Sequence, residues 1–260
     1  MKIQKMQKAE LSLLADAMLG EKWFINYKEL ELLYEVFFDD FFVLYKDEKP
    51  IGFISALRYT DTFAMISNFI ILKEFRSLGF GQKLFSFALE HLKNHQTALD
   101  ADLDNKQLYL DNGFIPYFES VYYNFQITKE FKDSEPVKKT LVKEDFLYFQ
   151  DKDKSTKLSY YLYAIANESS TKYRVIYKKN KISSYGLCIS YKDGYKLVVA
   201  STKHEEALRI ISSLLSEFNV GTVIYMEVTK LEEVLLDIVR VLKMKKYSKK
   251  IKMYNKVLES

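Results

Sequence analysis

The residues Arg76-Ser77-Leu78-Gly79-Phe80-Gly81 interrupt one apolar run and open another. Upstream, Phe69, Ile70, Ile71 and Leu72 form the unbroken apolar stretch expected of a strand covered on both faces. Downstream, Leu84, Phe85, Ala88, Leu89 and Leu92 recur at helical spacing, with Lys83, Ser86, Glu90 and Lys93 on the other side. The pattern predicts strand, glycine turn, helix. Glycines at 79 and 81 open backbone conformations closed to other residues and leave no side chain between a ligand and the amides. First-turn N–H groups have no partner within the helix and lie at the positive end of its dipole, which makes an anion site. A pyrophosphate suits it. A dinucleotide loop would need a third glycine where Leu84 stands, and a Walker loop would need Gly-Lys-Ser/Thr, which is absent.

Other residues able to do chemistry lie further on. Tyr109, four residues before Gly113 in Tyr109-Leu110-Asp111-Asn112-Gly113-Phe114, brings a phenol that can donate a proton; the same position suits core packing. Asp61, Asp100, Asp102 and Asp104 bring carboxylates that can take one, or can serve as solvated loop charges and helix caps. His91 and His95 close the long helix, where positive charge suits the dipole. The three histidines form no metal constellation.

The elements that must position these residues follow in order. Residues 2–7 read as a first strand, and Lys8 to Leu19 and Tyr27 to Phe38 as helices joined through Gly20-Glu21-Lys22-Trp23. Phe41 to Tyr45 and Ile51 to Tyr59 read as a hairpin about Lys46-Asp47-Glu48-Lys49-Pro50. The strand at 65–72 is third in this meander, and Thr97 to Ala101 returns parallel to it after the helix. Leu103 to Asn112 is a short helix stopped at Gly113, and Phe114 to Thr128 supplies two last strands with a bend near Pro116.

The loop Arg76 to Gly81 resembles the (Arg/Gln)-x-x-Gly-x-(Gly/Ala) loop of the GNAT superfamily of acetyl-CoA-dependent N-acetyltransferases. The Tyr109 to Phe114 stretch is similar to that family's Tyr-x-x-x-Gly-Phe, and the element order over residues 1 to 128 is the GNAT order. The resemblance implies that Ser77, Leu78, Gly79, Phe80, Gly81 and Gln82, with Arg76, hold the pyrophosphate. It also implies that the backbone of Phe69, Ile70 and Ile71 meets pantetheine and acetyl. The two parallel strands would splay near Ser67 and Asn68, which otherwise face solvent at a bulge. Tyr109 would protonate the leaving thiolate and Asp100 would be the base, with water as the alternative. A strand amide at Ile70 or Ile71 could stabilise the oxyanion. Trp23 and Phe24 would either line the acceptor pocket or pack between the first helices.

From Lys129 to Lys154 the chain is charged and irregular, and beyond it the element order of the first half recurs. There Ser201-Thr202-Lys203-His204-Glu205 stands in the place of the glycine loop. The expected fold is α/β with a mixed sheet, as tandem GNAT-like domains at 1–130 (acetyl-CoA-binding, catalytic) and 131–260 (degenerate). This resembles the two-domain GNAT subgroup, whose Trp-Asn-Pro-Gly near the first helix pair is reduced here to Trp23. The acceptor is therefore open.

Composition sets the outer limits. At 260 residues, 48% hydrophobic and 28% charged, the chain can bury a substantial core as one large or two modest domains. The net charge of +4 is scattered among acidic residues, without a basic block, so nucleic acid is not indicated. One cysteine, Cys188, excludes an intrachain disulfide framework and reads as buried filler. The sequence has no eighteen-residue apolar stretch and no leader pattern, so the expectation is a cytoplasmic protein without membrane contact. The expected activity is acetyl transfer from acetyl-CoA to a primary amine of a small molecule or polypeptide. A non-catalytic acyl-CoA-binding regulator is the alternative, because fold alone does not imply turnover.

Overall fold

The computed structural model describes residues 1–133, 137 and 156–255. Most of the Lys129 to Lys154 stretch lies outside the described residues.

The chain forms two compact units. The first is Met1–Tyr117 together with the strand residues from Ile251 on; the second is Phe118–Lys250. In the first unit, β1 (Lys2–Lys5), β2 (Phe41–Lys46), β3 (Lys49–Arg58) and β4 (Phe63–Ile71) pair antiparallel in succession. The β2–β3 turn is only Asp47-Glu48, at φ 50° and 62°, a twist that matches a two-residue hairpin. Pro50 falls within β3 beside a register shift at Leu44/Tyr45, where a missing N–H is tolerated. Helices α1 (Leu11–Gly20) and α2 (Tyr27–Phe37) precede β2, and Asn26 caps α2 by accepting from the Glu29 N–H. Helix α3 (Phe80–His91) then leads to β5 (Gln96–Ala101), which runs parallel to β4. Its apolar face buries Leu84, Phe85 and Ala88 against Leu44, Ile54, Ile66, Leu99 and Phe114. Helix α4 (Lys106–Asp111) follows a short 3-10 turn and stops at Gly113, whose φ is 80°.

After α4 the structure departs from expectation. Residues 114–128 supply one long strand, β6 (Ile115–Gln126), rather than two with a bend at Pro116. From Phe118 on, β6 belongs to the second unit. The far edge of β5 is closed instead by the end of the chain: in β11 (Lys245–Tyr254), Ile251 to Tyr254 pair antiparallel with Ala101 to Ala98. The sequence pattern alone places a final strand near Ile251 to Val257; the strand found begins six residues earlier, and residues 256 and 257 lie outside the described ones. Ile251 and Met253 join the first unit's core, so that core is drawn from both ends of the chain, unlike a division at 130/131.

The second unit contains α5 (Thr156–Ala166), β7 (Lys172–Lys178), β8 (Lys181–Tyr191), β9 (Gly194–Ala200), α6 (His204–Leu215), β10 (Val223–Thr229) and α7 (Glu233–Val241). Strands β7, β8 and β9 pair antiparallel, β9 and β10 parallel, and β10 with β6 antiparallel. Ile210, Ile211 and Leu214 of α6 pack on Leu197, Ile224 and Met226, as α3 packs in the first unit.

Candidate active site

The β4–β5 ladder runs from Phe63↔Gln96 to Ile66↔Leu99 and stops there, although β4 continues to Ile71 and β5 to Ala101. The divergence coincides with an extra residue on β4. Ser67 pairs with Ser55 but Ile70 pairs with Phe53, and Asn68 takes φ 49°. The Asn68 amide donates to the buried Ser55 hydroxyl at 3.0 Å, which fixes the bulge. Ser67 and Asn68 are both half-buried, so a bulge and a splay coexist here and neither side chain faces open solvent.

Below this gap lies a cavity of about 270 Å³ in the first unit, lined by Phe69, Ile70, Ile71, Arg76, Ser77, Gly81 and Tyr109, with Glu21, Trp23, Asn105 and Leu108. Six of the ten residues expected to hold cofactor therefore converge, together with the expected tyrosine. Gly79 is the N-cap of α3 at φ 80°, where a side chain would be strained. The first α3 bond here runs from the Lys83 N–H to the Gly79 carbonyl, so the preceding amides lack intrahelical partners. Gly81 does not share that conformation. It is in the helix, and a Cβ there would make ordinary contact with Ile71 and Phe69, so its value is the open cavity wall. The second left-handed residue is Ser77, at φ 60°. Leu78 is largely exposed. Phe80 packs near Phe75, and the Gln82 amide donates to Asn112 at 2.8 Å. None of these three lines the cavity.

Tyr109 projects from α4 and packs beside Phe85 and Phe114, with ring centroids 5.6 and 6.4 Å away. Burial, with a smaller contribution from the Asp102 carboxylate, pushes its phenol up to about 12. It therefore carries its proton at neutral pH. Asn105, Leu108 and Tyr109 line the cavity at i, i+3 and i+4, a spacing that could have pointed to the first two once Tyr109 was singled out.

The α1–α2 connection supplies what sequence reasoning missed. Glu21 Oε1 lies 2.6 Å from Arg76 Nη2, while Arg76 Nε donates to the Ile71 carbonyl at 2.8 Å. The Lys73 ammonium donates to the Gly20 carbonyl at 3.1 Å. The glycine loop and the helix connection are thus tied together, and Trp23 is part of the cavity lining.

Asp100 is not brought into the cavity. Leu99 and Ala101 face the α3 core, so strand alternation turns Asp100 to the other face. There the Lys252 ammonium lies 2.7 Å from its carboxylate. Tyr59 is on the same side, its phenol pushed up to about 12 by burial and then by Asp100.

Residues 38–116 match the model of the acetyltransferase (GNAT) domain. That match lies within the first half of the chain and takes in β2 to α4 with the glycine loop between them. The chain is 24% identical to holothin acyltransferase of Pseudoalteromonas sp. (strain SANK 73390) over 102 residues, covering 39% of this chain and 35% of that protein. The match thus spans about a third of the length of that curated relative. A putative acetyltransferase from Pyrococcus horikoshii superposes with a TM-score of 0.75 at 15% identity, over 97% of this chain and 88% of that one. A tandem GNAT protein from the clavulanic acid biosynthesis pathway superposes at 0.67 and 9% identity, over 97% of both chains. At such identities the likeness is one of fold alone, a mixed α/β fold shared along nearly the whole chain.

In the second unit, α6 begins at His204 with Lys203 as N-cap, and residues 200–206 contain no glycine. Glu206, in the first turn, is only 4% exposed and accepts from the Ser183 and Ser184 hydroxyls at 2.7 and 2.6 Å. Burial pushes its carboxyl upward, but the Lys178 ammonium and these hydroxyls outweigh that and hold it at about 2. A carboxylate of the chain itself sits at this helix start. Among the described residues no His/Cys/Asp/Glu group could hold a metal, and no helix is long and apolar enough to cross a membrane.

Proposed function

We propose that the first unit takes acetyl-CoA as acyl donor and transfers acetyl to a primary amine, on a small molecule or a polypeptide, by direct attack in a ternary complex. The observation that carries this reading is the break in the β4–β5 ladder after Ile66↔Leu99, which opens the strand edge of Phe69 to Ile71 above a cavity reaching both the α3 N-terminus and Tyr109. A strand edge is what an amide-bearing pantetheine arm can pair with, as an added strand would. The α3 N-terminus, with Arg76, Ser77, Leu78, Gly79, Phe80, Gly81 and Gln82, suits the pyrophosphate. Arg76 would exchange Glu21 for phosphate oxygens, a bidentate geometry that a guanidinium favours.

In the reaction the amine nitrogen bonds the acetyl carbon and the carbon–sulfur bond breaks. The amine loses a proton and the departing thiolate gains one. A strand amide at Ile70 or Ile71 would take the developing oxyanion. Tyr109 is the proton donor at sulfur. With its phenol at about 12 and a thiol near 8.5, full proton transfer to the released thiolate is uphill by roughly 5 kcal/mol, and transfer ahead of bond cleavage is harder still. Tyr109 therefore acts by donating a hydrogen bond as the charge develops. The proton of the amine leaves through water rather than to Asp100, whose carboxylate lies on the sheet face away from α3 and is paired with Lys252.

Release of free thiol from acetyl-CoA by the purified protein, measured across pooled primary amines and peptides, tests the proposal. Acceptor-dependent thiol release supports it. Saturable acetyl-CoA binding without release across a broad panel would favour a non-catalytic acyl-CoA-binding regulator.

A further inference from the structure

The second unit holds a cluster of aromatic rings for which acyl transfer has no use. On the sheet face away from α6, to which Ile224 and Met226 do not point, Tyr225 of β10 stands between Tyr191 of β8 and Tyr247 of β11. The Tyr191–Tyr225 centroids are 5.1 Å apart at 72°, and the Tyr225–Tyr247 centroids 5.6 Å apart at 80°. Successive rings are thus nearly perpendicular and present faces to a common point. That point is filled by a cation: the Lys192 ammonium lies 5.3, 5.2 and 4.5 Å from the centroids of Tyr191, Tyr225 and Tyr247. All three distances fall within the range at which a ring quadrupole attracts a cation. The Tyr225 hydroxyl donates to the Asp193 carboxylate, placing a negative charge at the margin. Tyr225 is 8% exposed and Tyr247 36%, so the cluster is walled on one side and open on the other. Lys192 reaches it from the two-residue β8–β9 turn, with its own backbone at φ 51°.

We propose that Tyr191, Tyr225 and Tyr247 form a binding site for an aliphatic ammonium ion, with Lys192 as its displaceable resident. The rings offer π faces rather than hydrogen-bond acceptors, which suits an ammonium bearing alkyl groups. A tethered side chain competes at an effective concentration in the millimolar range, so an external cation must outbind Lys192 or meet the cage when the turn swings away. This inference does not rest on the acyl-transfer reading.

The test is a proton NMR titration of the full chain with tetramethylammonium, with n-butylammonium as a copy of the lysine head, and with uncharged neopentyl alcohol as a shape control. In Lys192→Asn, whose new side chain tolerates the turn's left-handed backbone, the cations should show saturable upfield ring-current shifts. Binding should be roughly ten-fold tighter than in the wild type and lost on adding Tyr247→Leu. Tighter binding of tetramethylammonium would assign the cage to quaternary cations, and tighter n-butylammonium binding to lysine-like primary amines. In the wild type, where no substitution intervenes, the Lys192 Cε protons should sit upfield and relax downfield as tetramethylammonium is added. A folded Lys192→Asn variant without saturable shifts, or with equal affinity for neopentyl alcohol, would overturn the proposal.

Discussion

At the cavity two side chains carry opposite expectations. Tyr109→Phe keeps the ring against Phe85 and Phe114 and removes the proton. Acetyl transfer should fall by about 10²- to 10⁴-fold, with acetyl-CoA affinity nearly unchanged in a calorimetric titration. A mutant turning over at the wild-type rate, with chemistry shown to be limiting, would take Tyr109 out of the mechanism. Because burial holds this phenol at about 12, the alkaline side of the pH–rate profile up to pH 10 should not reflect it. Glu21 works the other way. Its pair with Arg76 is partly exposed, so it adds about 1 kcal/mol or less to stability, yet it sets a carboxylate where phosphate oxygens are expected. Glu21→Gln should therefore tighten acetyl-CoA binding with little change in thermal midpoint. Weaker binding would mean that Glu21 orients Arg76 rather than competing for it.

Two elements decide whether this cavity exists. One is the α3 N-terminus. Gly79→Asp would place a Cβ at φ 80° and a carboxylate beside the open amides. Calorimetry on the folded variant should show acetyl-CoA affinity greatly reduced, and unchanged affinity would remove the pyrophosphate from this loop. The other is β11. Ile251 to Tyr254 pair with β5, and Met253 is fully buried. Met253→Ala should destabilise the first unit by about 2–5 kcal/mol, although the residue lies at the far end of the chain. For the same reason a fragment of residues 1–130 should fail to show the cooperative thermal transition of the full chain. A stable, acetyl-CoA-binding fragment would show that β5 does not need its returning partner.

For the whole molecule the proposed stoichiometry is one acetyl-CoA per chain, since the second unit's helix start already holds Glu206. Native mass spectrometry at saturating acetyl-CoA should show a single specific ligand, and a second that survives Gly79→Asp would contradict this. Glu206 also marks the acid limb of stability. Its folded value of about 2 lies below the roughly 4.3 of an unfolded glutamate. The group therefore stabilises fully above that unfolded value and loses its contribution as pH falls toward 2. The linkage is at most about 3 kcal/mol. Urea midpoints followed from pH 5 to pH 2.5 should fall less steeply in Glu206→Gln than in the wild type. Parallel curves would mean that acid sensitivity arises elsewhere, with Asp40 the first alternative: burial pushes its carboxyl up, but His91 and Arg58 outweigh this and lower it.

Local chemistry was legible from residue order alone. The change of period across Gly79 set strand against helix, Gly113 marked the end of α4, and the glycine-free Ser201 to Glu205 stretch distinguished the second helix start from the first. Each is a property of neighbouring residues, so spacing carries it. What required tertiary structure involves partners distant in sequence. Glu21 meets Arg76 across 55 positions, and nothing near either residue announces the other. Lys252 meets Asp100 across 152, because strand pairing, unlike helix formation, leaves its partner unspecified. The same freedom lets β6 leave the first unit and β11 enter it: both strands have sequences that suit a sheet, and only the packing of Ile251 and Met253 beneath α3 decides which one closes β5.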